Sequence, residues 1–170
     1  MNQLKDWGFS AHWWRGKKGE YWALGQAILL IIFVLLPIYP AVATDSLSAI
    51  AQYGRWGMIA LSSSLALVFF VGGGLALGGN LTPLPHPKTE GTLVTTGIYR
   101  WVRHPLYSGV IFAAIAYSAW QWSLSQGIIS VVFFFFFNFK AQQEETWLKQ
   151  KFPEYANYQT QVKKLIPWIY

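Results

Sequence analysis

Hydrophobic and polar positions fall in long blocks along this chain rather than in short alternation. Apolar runs extend from about Tyr21 to Val42, Trp56 to Gly79, Leu106 to Trp122 and Leu124 to Phe139. A helix needs about 20 residues to cross a bilayer. The pattern therefore predicts an all-α integral membrane protein with about four transmembrane helices. Pro37 and Pro40 should bend or stop the first span. Only Gln121 to Gln126 separates the last two, which reads as a tight helical hairpin. The segment from Phe152 through Trp168 is too polar to span and is expected to lie on the cytoplasmic side, as a helix plus an interfacial tail.

Charge orients the layout. With both termini cytoplasmic, twelve of the thirteen basic residues fall on one side, and only Arg55 falls on the other. That is the asymmetry membrane topology follows. Tryptophans such as Trp13, Trp14, Trp22, Trp56, Trp101, Trp120 and Trp122 sit near span ends, as interfacial aromatics do. The basic, Trp-rich stretch from Trp7 to Trp22 is expected to form an interfacial helix. The first span exceeds the apolar core of a signal peptide, so it is read as retained despite Ala41-Val42-Ala43.

Composition narrows the class further. Charged residues make up 12% of the 170 residues and hydrophobic ones 54%, where a soluble domain carries about 25% charged residues. The net charge of +6 tracks topology and gives no reason to expect nucleic acid. Without cysteine there is no disulfide, thiolate metal site or cysteine nucleophile. His12, His86 and His104 have no metal-ligand spacing, so no metal is expected.

Two polar places beside apolar spans carry the candidate chemistry. The first is Gly97-Ile98-Tyr99-Arg100-Trp101-Val102-Arg103-His104-Pro105-Leu106-Tyr107-Ser108-Gly109. Gly97 permits a turn that other residues resist, and Pro105 suits the first turn of a helix. Arg103 and His104 then stand at that helix's N-terminus, where the dipole favours an anion. The second place is Lys140 with Glu144 and Glu145. Lys140 and Glu144, four apart, share a helix face, and Glu145 points about a hundred degrees away. On these residues alone both places also fit an interfacial role, as an ion pair and a cationic membrane boundary.

Gly72-Gly73-Gly74-Leu75-Ala76-Leu77-Gly78-Gly79 lacks the strand, helix and acidic residue of a dinucleotide loop. Gly74 and Gly78 instead form a small-xxx-small pair suited to close helix packing. Thr82 to Pro87, with three prolines, should be extended, as a wall over a site or a rigid connector.

Leu93-Val94-Thr95-Thr96-Gly97-Ile98-Tyr99, Arg103-His104-Pro105-Leu106-Tyr107-Ser108-Gly109, Glu144-Glu145, Phe152, Tyr155, Tyr158 and Ile166-Pro167 occur in this order. Together they resemble the isoprenylcysteine carboxyl methyltransferase family, part of a wider membrane group that includes phospholipid methyltransferases. The likeness covers roughly residues 80 to 168, expected to be the cofactor-binding half of a single 1–170 domain. It implies an S-adenosylmethionine-dependent enzyme acting on a lipophilic or prenylated acceptor at the cytoplasmic membrane face. The implied cofactor-binding residues are Thr92, Leu93, Val94, Tyr99, His104, Pro105, Tyr107 and Glu144. The family's substrate-binding arginine falls at Lys140, a departure, and Arg103 is a candidate catalytic residue. Phospholipid amine N-methylation and a non-catalytic protein retaining the fold stay open as alternatives. The acceptor's lipid part is expected to enter between spans, near Phe133 to Phe137 and the small-residue face of the second span.

Overall fold

The computed structural model describes residues 16, 18–39, 44 and 47–170. Among the described residues five α-helices carry the fold: α1 (Glu20–Leu35), α2 (Ala49–Leu77), α3 (Pro105–Gln121), α4 (Leu124–Lys151) and α5 (Tyr155–Gln161). Single 3-10 turns occupy Gly78–Asn80 and Gly97–Arg100, and no strand occurs among the described residues. Most of the helix packing joins α2 to α3 and α3 to α4, while α1 lies against α4. Trp7 to Arg15, His12 among them, and the Ala41-Val42-Ala43 stretch lie outside the described residues.

Three boundaries depart from the hydrophobic pattern. The first helix stops at Leu35, just before the Pro37 expected to bend or stop it and short of the end of the apolar run at Val42. Leu36 is extended at φ −64° and ψ 127°, because the ring of Pro37 disfavours the helical conformation in the residue before it. The second helix begins at Ala49 rather than Trp56. Ser48 supplies the missing start signal, its hydroxyl accepting from the Ala51 N–H at 3.3 Å. The hairpin is tighter than Gln121 to Gln126, since only Trp122 and Ser123 stand between α3 and α4. Trp122 makes the turn in the left-handed region at φ 46° and ψ 48°.

Among the described residues two helices are long and apolar enough to cross a membrane: Ala49–Asn80 and Leu124–Lys151. At 16 residues α1 spans about 24 Å by the 1.5 Å rise per residue, and α3 has 17. Large apolar side chains cover the outside. Leu24, Ile31, Val34, Leu61, Leu67, Leu75, Ile128 and Phe135 are all exposed, far more than a monomeric soluble surface usually presents.

The glycine-rich end of α2 packs differently from the small-residue pair expected there. A Cβ on Gly73 would lie 3.1 Å from Leu106 Cδ2 and 3.2 Å from Pro105 Cγ, and one on Gly72 3.2 Å from Ile98 Cβ. A Cβ on Gly74 or Gly78 would meet nothing within 4 Å among the described residues. Gly73 lets the start of α3 approach, and Gly72 the 3-10 turn before it. Their packing seats the start of α3 beside the end of α2, which is where the polar residues collect.

Candidate functional site

The chain enters α3 through a short zipper with its own C-terminal segment. Arg103 and His104 donate their backbone N–H groups to Lys163 O (2.8 Å) and Lys164 O (3.2 Å). Ser108 Oγ, one turn into α3, donates to Leu165 O at 2.6 Å. Gly97 starts the preceding 3-10 turn at φ +61°, the region only glycine enters freely. Tyr158 Oη on α5 then donates to Tyr99 O at 2.5 Å, fixing that turn beneath the C-terminal segment.

An ion-pair network stands at this junction. Arg103 Nε donates to Glu145 Oε1 at 2.8 Å, and its Nη1 bonds Gln159 O (3.0 Å) and Val162 O. His104 Nε2 lies 3.1 Å from the same carboxylate oxygen. Gln159 Nε2 donates to Glu145 Oε2 at 2.8 Å. Glu145 and the side chains of Arg103 and His104 are all buried. The anion at the start of α3 is thus the chain's own Glu145, one residue from the glutamate that the motif singles out.

Glu144 faces the other way. Its Oε2 accepts from Tyr107 Oη at 2.6 Å and lies 3.7 Å from His104 Nδ1, and a quarter of the side chain stays exposed. The Tyr107 ring lies parallel to His104, with centroids 5.4 Å apart, and nearly parallel to Phe137 at 5.0 Å. Burial foremost, with Glu144 adding, pushes the Tyr99 phenol well above its ordinary range. It stays neutral.

A cavity of about 130 Å³ opens here. Thr92, Leu93, Val94, Tyr99, Arg103, His104, Tyr107 and Glu144 all line it. Asn80 holds Thr92 in place, accepting from its N–H at 3.1 Å and donating to its hydroxyl at 3.2 Å. The Pro-rich loop forms a wall through Leu84, Pro85, His86 and Pro87. That wall is tied to the end of α4 by Lys151 Nζ, which bonds Lys88 O and Thr89 O. Leu148, Phe152, Tyr155 and Tyr158 complete the lining. Phe152, Tyr155 and Tyr158 stand in the motif, yet nothing in their spacing says that they face the same space as Glu144.

Two of the expected binding residues, Pro105 and Lys140, lie off the cavity. Pro105 is buried against Gly73 at the first turn of α3. Lys140 is 2% exposed, donates to Gln26 Oε1 of α1 at 2.5 Å and sits 5.0 Å from the Tyr107 ring centroid. It stands behind Tyr107, and Gln26 is a partner that no motif announces. No group of three or more potential metal-ligating side chains occurs among the described residues.

A second space, an apolar groove of about 720 Å³, runs along α3 and α4 on the other side of Ser108. Phe134 and Phe135 line it, whereas Phe133 and Phe137 are fully buried in the core. From α2 it takes Met58 and none of the glycines. The expected lateral groove exists with a different lining.

Three comparisons with known proteins place this helical fold and its cavity. Residues 56–155, more than half of the sequence, match the phospholipid methyltransferase family, and the chain belongs to that family. Two curated relatives from Oryza sativa, subspecies indica and japonica, are each 34% identical over 86 residues. Both carry the name "Probable protein-S-isoprenylcysteine O-methyltransferase". The match covers 49% of this chain and 45% of each relative, so the chain spans less than half the length of the curated relatives it matches. The solved structure of a eukaryotic intramembrane Ras methyltransferase, isoprenylcysteine carboxyl methyltransferase, superposes with a TM-score of 0.52. That likeness covers 91% of this chain and 67% of the other at 23% identity, and it is a likeness of fold. With the apolar helices, it marks an integral membrane protein.

Proposed function

We propose that this chain is an S-adenosylmethionine-dependent methyltransferase of the isoprenylcysteine carboxyl type, acting on a lipophilic acceptor at the cytoplasmic membrane face. One observation carries the reading: residues 92–94, Tyr99, His104, Tyr107 and Glu144, far apart in sequence, line one cavity. The proposed topology has four spans, with both termini and the C-terminal segment cytoplasmic, which puts the cavity end of the bundle beside the basic loops.

The lining fits the cofactor. Glu144, partly open, can accept from an ammonium or from ribose hydroxyls. Leu93, Val94 and Tyr99 offer an apolar and aromatic wall to adenine. When bound, S-adenosylmethionine supplies an electrophilic methyl group on a sulfonium sulfur. The protein's contribution is positioning and exclusion of water. The Pro-rich loop and the C-terminal segment, held by Lys151 and by the Arg103–Glu145 network, perform the exclusion.

A carboxylate acceptor is ionised at neutral pH and needs no base. With S-adenosylmethionine held by Glu144, Leu93, Val94 and Tyr99, the methyl carbon would pass from its sulfur to the acceptor's carboxylate oxygen, giving a methyl ester and a neutral thioether. Lys140, enclosed behind Tyr107 and held by Gln26, acts on this reading as a fixed positive charge near the acceptor rather than as a direct ligand. The apolar groove along α3 and α4 receives the acceptor's lipid part. Tyr107 and Ser108, adjacent in sequence, line the cavity and the groove respectively.

The match to the phospholipid methyltransferase family supports a second reading, methylation of a phospholipid amine. Transfer of radiolabelled methyl from S-adenosylmethionine into a prenylcysteine analogue and into a native lipid extract separates the two. Base-labile label in the prenylcysteine analogue supports the first, and label confined to amine phospholipids supports the second. Label in neither defeats both. Lys140→Ala should raise the apparent KM of a carboxylate acceptor more than that of an amine; the reverse order rejects the role given to Lys140.

A further inference from the structure

Tyr155, in the cavity wall, carries a fully enclosed hydroxyl that takes no part in the hydrogen bonding among the described residues. Tyr155 opens α5 and is 1% exposed, with its ring edge-on to Tyr158 at 5.6 Å. Its phenol oxygen is enclosed yet has no hydrogen-bond partner among the described residues. Two neighbouring phenols are engaged, Tyr107 donating to Glu144 and Tyr158 to Tyr99 O. A buried hydroxyl without a partner costs stability, and phenylalanine would fill the same volume without that cost. Folding alone gives no reason for the oxygen.

The surrounding charges say which way it bonds. Burial, then Glu145, pushes the Tyr155 phenol far above its ordinary range, so it keeps its proton and can donate. Arg103 and His104, the donors that the motif offers to a ligand carboxylate, already bind Glu145. Glu144 in the same wall is an acceptor and suits a positive group. A wall pairing an acceptor-only carboxylate with a neutral donor complements the amino-acid end of a ligand, which carries an ammonium beside a carboxylate.

We infer that Tyr155 is a ligand-binding residue of this cavity, its hydroxyl donating to the α-carboxylate of bound S-adenosylmethionine. The inference rests on the function proposed above and adds to it a contact that the motif does not assign. Tyr155→Phe tests it, because the change removes only the oxygen. In calorimetry with S-adenosylhomocysteine, the variant should bind five- to tenfold more weakly than the wild type. Its ligand-free thermal midpoint should be equal or higher, since an unpaired hydroxyl has gone. An analogue lacking the α-carboxylate should bind wild type and variant alike.

Equal affinity of wild type and Tyr155→Phe for S-adenosylhomocysteine overturns this inference and leaves the cofactor reading intact. A lower ligand-free midpoint also overturns it, by assigning the hydroxyl to folding. A difference that persists with the analogue rejects the carboxylate as the partner. No binding by the wild type defeats the cofactor reading itself.

Discussion

Helix α3 has a buried arginine at each end, and the two are placed for opposite reasons. At its C-terminus, Arg55 of α2 donates through Nε to Ala119 O (3.0 Å) and through Nη2 to Trp120 O (2.8 Å). Those carbonyls are among the four that a helix end leaves unbonded, and a cation there agrees with the dipole. Arg55 needs no further explanation. At the N-terminus a cation opposes the dipole, so Arg103 is tolerated only through Glu145 and the carbonyls of Gln159 and Val162. The first arrangement completes a helix, and the second assembles a cavity by drawing α4 and the C-terminal segment onto the start of α3. Polarity that the fold's own needs do not explain lies at one end of the bundle.

The comparison can be broken most forcefully at Glu145. Glu145→Ala leaves Arg103 and His104 buried without their carboxylate, and should cost about 3–5 kcal/mol. The thermal midpoint in detergent reads this, and a loss well under about 1 kcal/mol would show the network to be incidental. Arg55→Ala should cost about 1–3 kcal/mol by leaving Trp120 O without its donor, yet leave affinity for S-adenosylhomocysteine unchanged. A change in that affinity would erase the distinction between the two ends. Glu144→Gln should do the reverse. It should weaken ligand binding at least tenfold, about 1.4 kcal/mol, with the midpoint held. The smallest contrast lies in the glycines: Gly74→Ala should be neutral or stabilise by about 0.5–1 kcal/mol, while Gly73→Ala, pressed against Pro105 and Leu106, should destabilise. Equal midpoints for the two variants would remove Gly73 from the α2–α3 contact.

The features legible in the sequence are those that local rules determine. Pro105 opens α3 and Gly97 takes a positive φ, as their residue types require. Pro37 ends α1, though the apolar run beyond it suggested a longer helix. In the sequence Arg55 is only the one basic residue on the far side, because its partners, Ala119 O and Trp120 O, lie 64 and 65 residues away. The same limit governs the site. The motif grouped His104, Tyr107 and Glu144, but spacing cannot say that Glu145 binds Arg103 while Glu144 faces the cavity. A one-residue step on a helix turns a side chain by about 100°, and only packing chooses which glutamate looks inward. Lys140 shows this too, since its partner Gln26 sits 114 residues earlier on α1, in a stretch no motif covers.

Calorimetric titration of the purified wild-type protein with S-adenosylmethionine and S-adenosylhomocysteine tests the central claim most directly. The account predicts saturable binding of both at one site per chain, weakened at least tenfold by Glu144→Gln in a protein of unchanged thermal midpoint. Absence of binding by the wild type, or equal binding by Glu144→Gln, would contradict it.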